Sequence, residues 1–236
     1  MKTSNILLLC MIGFIILTVT GGMIAIRLLA DRNVRIEEVQ SIDTTVQEKR
    51  YEVADFDRIE TSGFWDINIT RGDTFGMVVK APAYLADQVI AKERGGTLSI
   101  GFLPGTRVSM KETRVEAAIT MPELSRIQSS GGSIIRFDGF SGNELSIDTS
   151  GGSDISGKGN TFRNVQMDLS GATNVNLKDS NTENAVLNIS GAGNVEITMT
   201  GGDLSGNLSG TANITYYGKI SGEHFKKSGF ASIQKR

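Results

Sequence analysis

Two aspartates, Asp148 and Asp168, stand 20 residues apart in a stretch that repeats at the same interval. If each interval is one coil of a stacked β-structure, the carboxylates lie about 4.8 Å apart. That resembles the close acid and nucleophile pair of a retaining glycosidase, and like charges so near would raise one pKa. The same column continues, however, as Gln128, Asp148, Asp168, Asn188 and Asn207, and three of these five side chains carry no charge. Stacked amides can hydrogen-bond from coil to coil. A supporting polar ladder is therefore the simpler reading. Asp66, Asp154, Asn174, Asn194 and Asn213 form a second column of the same kind.

Other chemistry is poorly supplied. His224 is the only histidine and Cys10 the only cysteine, so neither a Ser-His-Asp set nor a zinc site is expected. Gly151 to Ile155 (GGSDI) is similar to a calcium-binding solenoid repeat, but that repeat has a period of about nine residues. Here the period is 20 and most copies carry Asn. No phosphate-cradling loop is present, and basic residues do not cluster with aromatics as on a nucleic-acid surface. No cofactor and no nucleic-acid partner are expected. The Asn-x-Ser/Thr triplets, such as Asn188-Ile189-Ser190, are by-products of the repeat. Trp65, beside Phe64, could stack on a sugar ring, although such aromatics more often fill or cap the end of a tube. Trp65, Asp148 and Asp168 are the candidate binding residues.

The elements that must position these residues follow from a ruler mark. Ser-Gly occurs at Gly131, Gly151, Gly171, Gly191, Gly210 and Gly229, in steps of 20, 20, 20, 19 and 19 residues. Ile135, Ile155, Val175, Val195, Ile214 or Ile233 follows each glycine by four residues. A fixed period of this size indicates a solenoid with one coil per repeat. Before the mark, Val165, Met167 and Leu169 alternate with Gln166 and Asp168. After it, Val175 and Leu177 alternate with Asn174 and Asn176. Alternate side chains face opposite sides of a strand, so the apolar set points into one tube. The expected fold is an all-β, single-stranded parallel β-helix with coils of 20 residues. The glycine suits a corner that needs positive φ and leaves little room for a side chain.

Thr61-Ser62-Gly63 is a seventh copy, which makes Gly63 a seventh turn glycine. Residues 51–122 are expected to form irregular first coils with a hairpin around Gly95-Gly96, and residues 123–236 the regular coils. Lys227 takes a position held by Leu169, Ile189 and Leu208 in earlier coils, which fits an exposed last coil.

Residues 6–26 form an almost unbroken apolar run behind a five-residue head, long enough for a helix to span a bilayer. A cleavable signal would need a small-x-small site, yet the candidate site before Asp31 has Leu28 in a small position. The run is expected to remain as an anchor, followed by a polar stalk over residues 27–50. Arg27, Arg32 and Arg35 after the span would favour a cytoplasmic body. The very short head and the envelope-type repeat favour export. An extracytoplasmic body, in the periplasm or at the cell surface, is the expectation. Net charge is only -2, which implies no strong pull toward polyanions.

Phe56-Asp57-Arg58-Ile59-Glu60-Thr61-Ser62-Gly63, followed by Asp66-Ile67-Asn68-Ile69 and Gly72-Asp73, resembles the opening of a bacterial family, the "putative auto-transporter adhesin head domain" or GIN domain. Gly96-Thr97-Leu98-Ser99-Ile100 and the Ser-Gly-x-x-x-Ile/Val units are similar to its continuation. The resemblance covers Tyr51 to about Ile233. It implies a right-handed parallel β-helix in an envelope protein and no established activity. The expected function is a non-enzymatic binding, adhesion or scaffolding module, held to the membrane through residues 6–26. Its expected ligand is an envelope polysaccharide or a protein. The alternative is a polysaccharide lyase or hydrolase using the acidic pair.

Overall fold

The structure, a computed structural model, describes residues 45–108 and 115–236. The head, the apolar run 6–26 with Cys10, and stalk residues 27–44 lie outside the described residues. Among the described residues, no helix is long and apolar enough to cross a membrane. Residues 43–236 form one compact unit with a continuous apolar core, which is the ordinary mark of a segment able to fold alone.

The regular part is a β-solenoid. Its strands are β7 (Arg126–Asp138), β8 (Ser141–Thr149), β9 (Gly152–Leu169), β10 (Ala172–Ile189), β11 (Ala192–Thr200), β12 (Asp203–Leu208), β13 (Thr211–Lys219), β14 (Gly222–Lys227) and β15 (Phe230–Lys235). Each pairs in parallel with its equivalent in the next coil. Val175, for example, lies between Ile155 and Val195, and Leu187 is the register partner of Met167 and Gly206. The inward columns are closed to solvent. Ile135, Ile155, Val175 and Val195 are all at most 1% exposed. Each such side chain stabilises the fold by about 1.5–3 kcal/mol relative to exposure. The third side of each coil is looser, with register shifts between Asn176 and Asp179 and between Leu177 and Asn181.

The N-terminal part is built differently. β2 (Arg58–Arg71) stacks directly on β7, with Gly63 opposite Gly131. The chain between them does not intervene. It folds beneath β2, where β5 (Thr97–Phe102) continues one side of the tube and β6 (Glu116–Met121) another. β4 (Val89–Arg94) closes a hairpin with β5 through Gly95-Gly96. β3 (Gly76–Pro82) runs antiparallel to β6 and leads into the short helix α1 (Ala83–Ala86). β1 (Val46–Tyr51) runs antiparallel to β3. Residues 46–50, expected to end the stalk, are thus part of the domain. Their side chains are exposed, and β1 is held by its backbone ladder. Antiparallel strands cover this end of the parallel stack, one way of protecting a sheet edge.

The seven marked glycines form a single file. A Cβ on Gly131 would collide with the backbone of Gly63, and the same holds for Gly151 over Gly131 and Gly171 over Gly151. Gly191, Gly210 and Gly229 continue the series, each against the glycine one coil before. Positive φ is not the shared requirement: Gly63, Gly131 and Gly171 have φ of 98°, 139° and 145°, while the other four lie outside that region. Room is what all the later members need.

Gly191 and Gly152 separate these effects. Gly191→Ala collides without any φ penalty and is expected to cost several kcal/mol, in the range of severe overpacking. Gly152 has nothing within 4 Å of a Cβ and no positive φ, and its column continues as Ala172 and Ala192. Gly152→Ala should be neutral or stabilise by up to about 1 kcal/mol. Urea unfolding of residues 43–236 measures both; equal losses would refute the close-approach explanation.

Candidate functional site

Asp148 and Asp168 are brought together as register partners on β8 and β9. Their oxygens are engaged by neighbours. Ser146 Oγ donates to Asp148 Oδ2 at 3.0 Å, and the Arg126 guanidinium Nε stands 3.0 Å from the same oxygen. Gln166 Nε2 donates to Asp168 Oδ2 at 2.7 Å and Asn188 Nδ2 to Asp168 Oδ1 at 2.9 Å. Asn207 Nδ2 then donates to Asn188 Oδ1 at 2.9 Å. The hydrogen-bonded ladder runs through Asp168, Asn188 and Asn207, and Lys226 is the register partner of Asn207. A catalytic pair needs lone pairs aimed at a substrate between the two carboxylates. Here Ser146 and Gln166, two residues earlier on the same strands, occupy Asp148 Oδ2 and Asp168 Oδ2, and Arg126 balances the Asp148 charge.

The second column also forms, with two further members, Ile134 and Ser232. It runs Asp66, Ile134, Asp154, Asn174, Asn194, Asn213 and Ser232. Ile134 interrupts the polar row and is 37% exposed. Asp66, at its start, is buried and accepts a hydrogen bond from Arg136 Nη1. A third row escaped sequence reading: Asn184 Nδ2 donates to Asn164 Oδ1 at 3.2 Å, and the Asp203 amide donates to Asn184 Oδ1 at 3.0 Å. Its spacing is the same 20 and 19 residues as the Ser-Gly marks, which is the signal that could have found it.

The Trp65 side chain does not lie on the surface. It is 3% exposed, its indole Nε1 donates to the Ser62 carbonyl at 3.0 Å, and its ring stacks on Phe102 at 4.7 Å. The alternation of β2 places Trp65 on the same side as Ile67 and Ile69, into the tube. Polar side chains inside the tube sit at its corners. Ser129 and Ser153 hydroxyls lie 3.1 Å apart, and those of Thr149 and Thr173 lie 2.9 Å apart. Asn160, 1% exposed, donates to the Phe137 carbonyl and accepts from the Phe140 amide.

The surface hollows are shallow and polar-rimmed. One of about 350 Å³ follows the corner, between Asp168, Asn188 and Asn207 on one bank and Ser170, Ser190 and Ser209 on the other. Another, about 420 Å³, lies farther along the same strands among Arg126, Glu144, Asn164, Gln166, Asn184 and Val186. At the N-terminal end a hollow of about 740 Å³ is lined by Tyr51, Val53, Phe75 and Met77 among others. Burial pushes the Tyr51 phenol up, opposed by the Lys49 ammonium. Among the described residues, no three His, Cys, Asp or Glu side chains converge as metal ligands would. His224 is exposed on β14.

A parallel β-solenoid whose polar residues are used in coil-to-coil ladders defines the class of molecule. The chain belongs to the family described as "Putative auto-transporter adhesin, head GIN domain", whose model matches residues 55–219. Among solved structures, a putative adhesin from Bacteroides fragilis is similar at 15% identity, covering 83% of this chain and 99% of that one, with a TM-score of 0.68. A putative adhesin from Parabacteroides merdae is similar at 18% identity, over 81% and 96% of the two chains, with a TM-score of 0.47. The first likeness shows a shared fold. No curated protein matches the chain.

The ladder makes a stability prediction that a catalytic pair would not. Asp168→Asn keeps an acceptor for Asn188 and matches the next two residues of the column, so stability should change by less than about 0.5 kcal/mol. Asp168→Ala removes two acceptors and should cost about 1–2 kcal/mol. Thermal unfolding of the two variants tests this; equal effects would remove the ladder interpretation.

Proposed function

We propose that this protein is a non-enzymatic binding module of the bacterial envelope, in which the solenoid presents its long sides to an envelope polysaccharide or a protein. The observation that carries this reading is the fate of the polar columns. Asp168, Asn188 and Asn207 hydrogen-bond to one another, while Asn174, Asn194 and Asn213 repeat an exposed amide once per coil. Rows of amides spaced about 4.8 Å apart suit an extended repeating ligand better than a single reacting bond. The family's adhesin description supports the same direction.

In this reading residues 6–26 tether the module, and its body lies outside the cytoplasm, in the periplasm or at the cell surface. The lyase or hydrolase alternative lacks a comparable observation, because Asp148 and Asp168 are tied to Arg126, Ser146, Gln166 and Asn188.

Immobilised residues 43–236 should retain a component of envelope extracts and leave a glycan panel chemically unchanged. Asn174→Lys with Asn194→Lys, both on the exposed row, should reduce retention at least about fivefold, as expected for roughly 1 kcal/mol of lost contact, while unfolding stays unaltered. Turnover of any glycan, abolished by Asp168→Asn, would overturn the proposal.

A further inference from the structure

The two ends of the solenoid differ in chemistry. Residues 45–218 carry 15 Lys and Arg against 21 Asp and Glu, whereas residues 219–236 carry five against one. The five cations are Lys219, Lys226, Lys227, Lys235 and Arg236, and all are exposed. None of them makes an ion pair among the described residues. Phe230, within the same segment, is 87% exposed. It ends a column of small residues, Gly152, Ala172, Ala192 and Thr211, so no neighbouring side chain covers its ring.

The interior is also open here. Phe225, Ala231 and Ile233 are only partly buried against the core, and Lys227 takes the place of Leu208 in the coil before. β14 pairs only with β12, and β15 only with β13. The opposite end is covered by the antiparallel strands β1, β3 and β4. One end is therefore closed and mixed in charge. The other carries unpaired cations, two of them, Lys227 and Lys235, in register with the buried Leu208 and Tyr216 of the coil before.

We infer that this terminal coil is a membrane-docking tip that seats on a bilayer rich in anionic headgroups. Phe230 enters the interface as an apolar anchor, and Lys226, Lys227, Lys235 and Arg236 meet lipid phosphates. Docking is shallow. The free backbone edge of β15 needs hydrogen-bond partners that headgroup water supplies and the hydrocarbon does not. A second copy seated tail to tail would bring like charges together, which disfavours it. The inference uses no envelope ligand and stands apart from the side-face binding proposed above.

Co-sedimentation of residues 43–236 with vesicles tests it. Vesicles of phosphatidylcholine mixed with phosphatidylglycerol should bind the protein, and phosphatidylcholine alone should not. Added salt should weaken binding by screening the headgroup charge. Lys226→Glu with Lys227→Glu should lower affinity at least about tenfold, in line with the contribution of each cation. Phe230→Ser should lower it about fivefold or more. Lys92→Glu, on the hairpin at the other end, should leave binding unchanged. Three outcomes would overturn the inference: no vesicle binding, binding indifferent to the tip variants, or a concentration-dependent dimer abolished by Phe230→Ser.

Discussion

The close approach of backbone to backbone at the Ser-Gly corner governs the rest of the molecule. Each glycine from Gly131 onward rests against the glycine one coil earlier, with no space for a Cβ. That contact sets the register, and the side-chain period along a strand is two. A slip of one residue would turn Ile155, Val175 and Val195 outward and bring Asp154, Asn174 and Asn194 into the core. The apolar columns supply most of the stabilisation, while the glycine file permits only one alignment of them.

Polar groups reinforce that alignment from both sides of the wall. Outside, amides and carboxylates bridge coils, as between Asn207, Asn188 and Asp168. Inside, hydroxyl pairs such as Thr149 with Thr173 join a strand before the corner to the strand after the corner in the next coil. Asn160 satisfies backbone groups where the chain turns through Phe137 and Phe140. Buried polar atoms without partners are costly; the hydroxyl pairs satisfy each other, whereas the Thr61 and Ser133 hydroxyls are buried without a partner among the described residues.

The proposed roles rest on repetition and on the ends. A side face offers the same group once per coil, a geometry suited to long ligands and poorly suited to concentrating acid, base and nucleophile at one point. The ends break the repeat, one through an antiparallel cover and the other through a basic, aromatic last coil. That asymmetry gives the stack a direction.

The period of the Ser-Gly marks determined the coil length, the inward columns and the outward rows, because a regular stack turns sequence spacing directly into spatial neighbours. Parity along β2 even carried the orientation of Trp65, which shares its side with Ile67 and Ile69. Tertiary structure alone decided what the period does not encode. Ser62 and Ser130 stack although 68 residues separate them, since the intervening chain folds beneath β2. Val46–Tyr51 joins the sheet through backbone hydrogen bonds, which leave no apolar pattern in its polar side chains. The Asp148 partner Arg126 comes from the preceding coil, 22 residues earlier. Local pattern records which face a side chain takes; only the stacked coils fix which charges and edges meet.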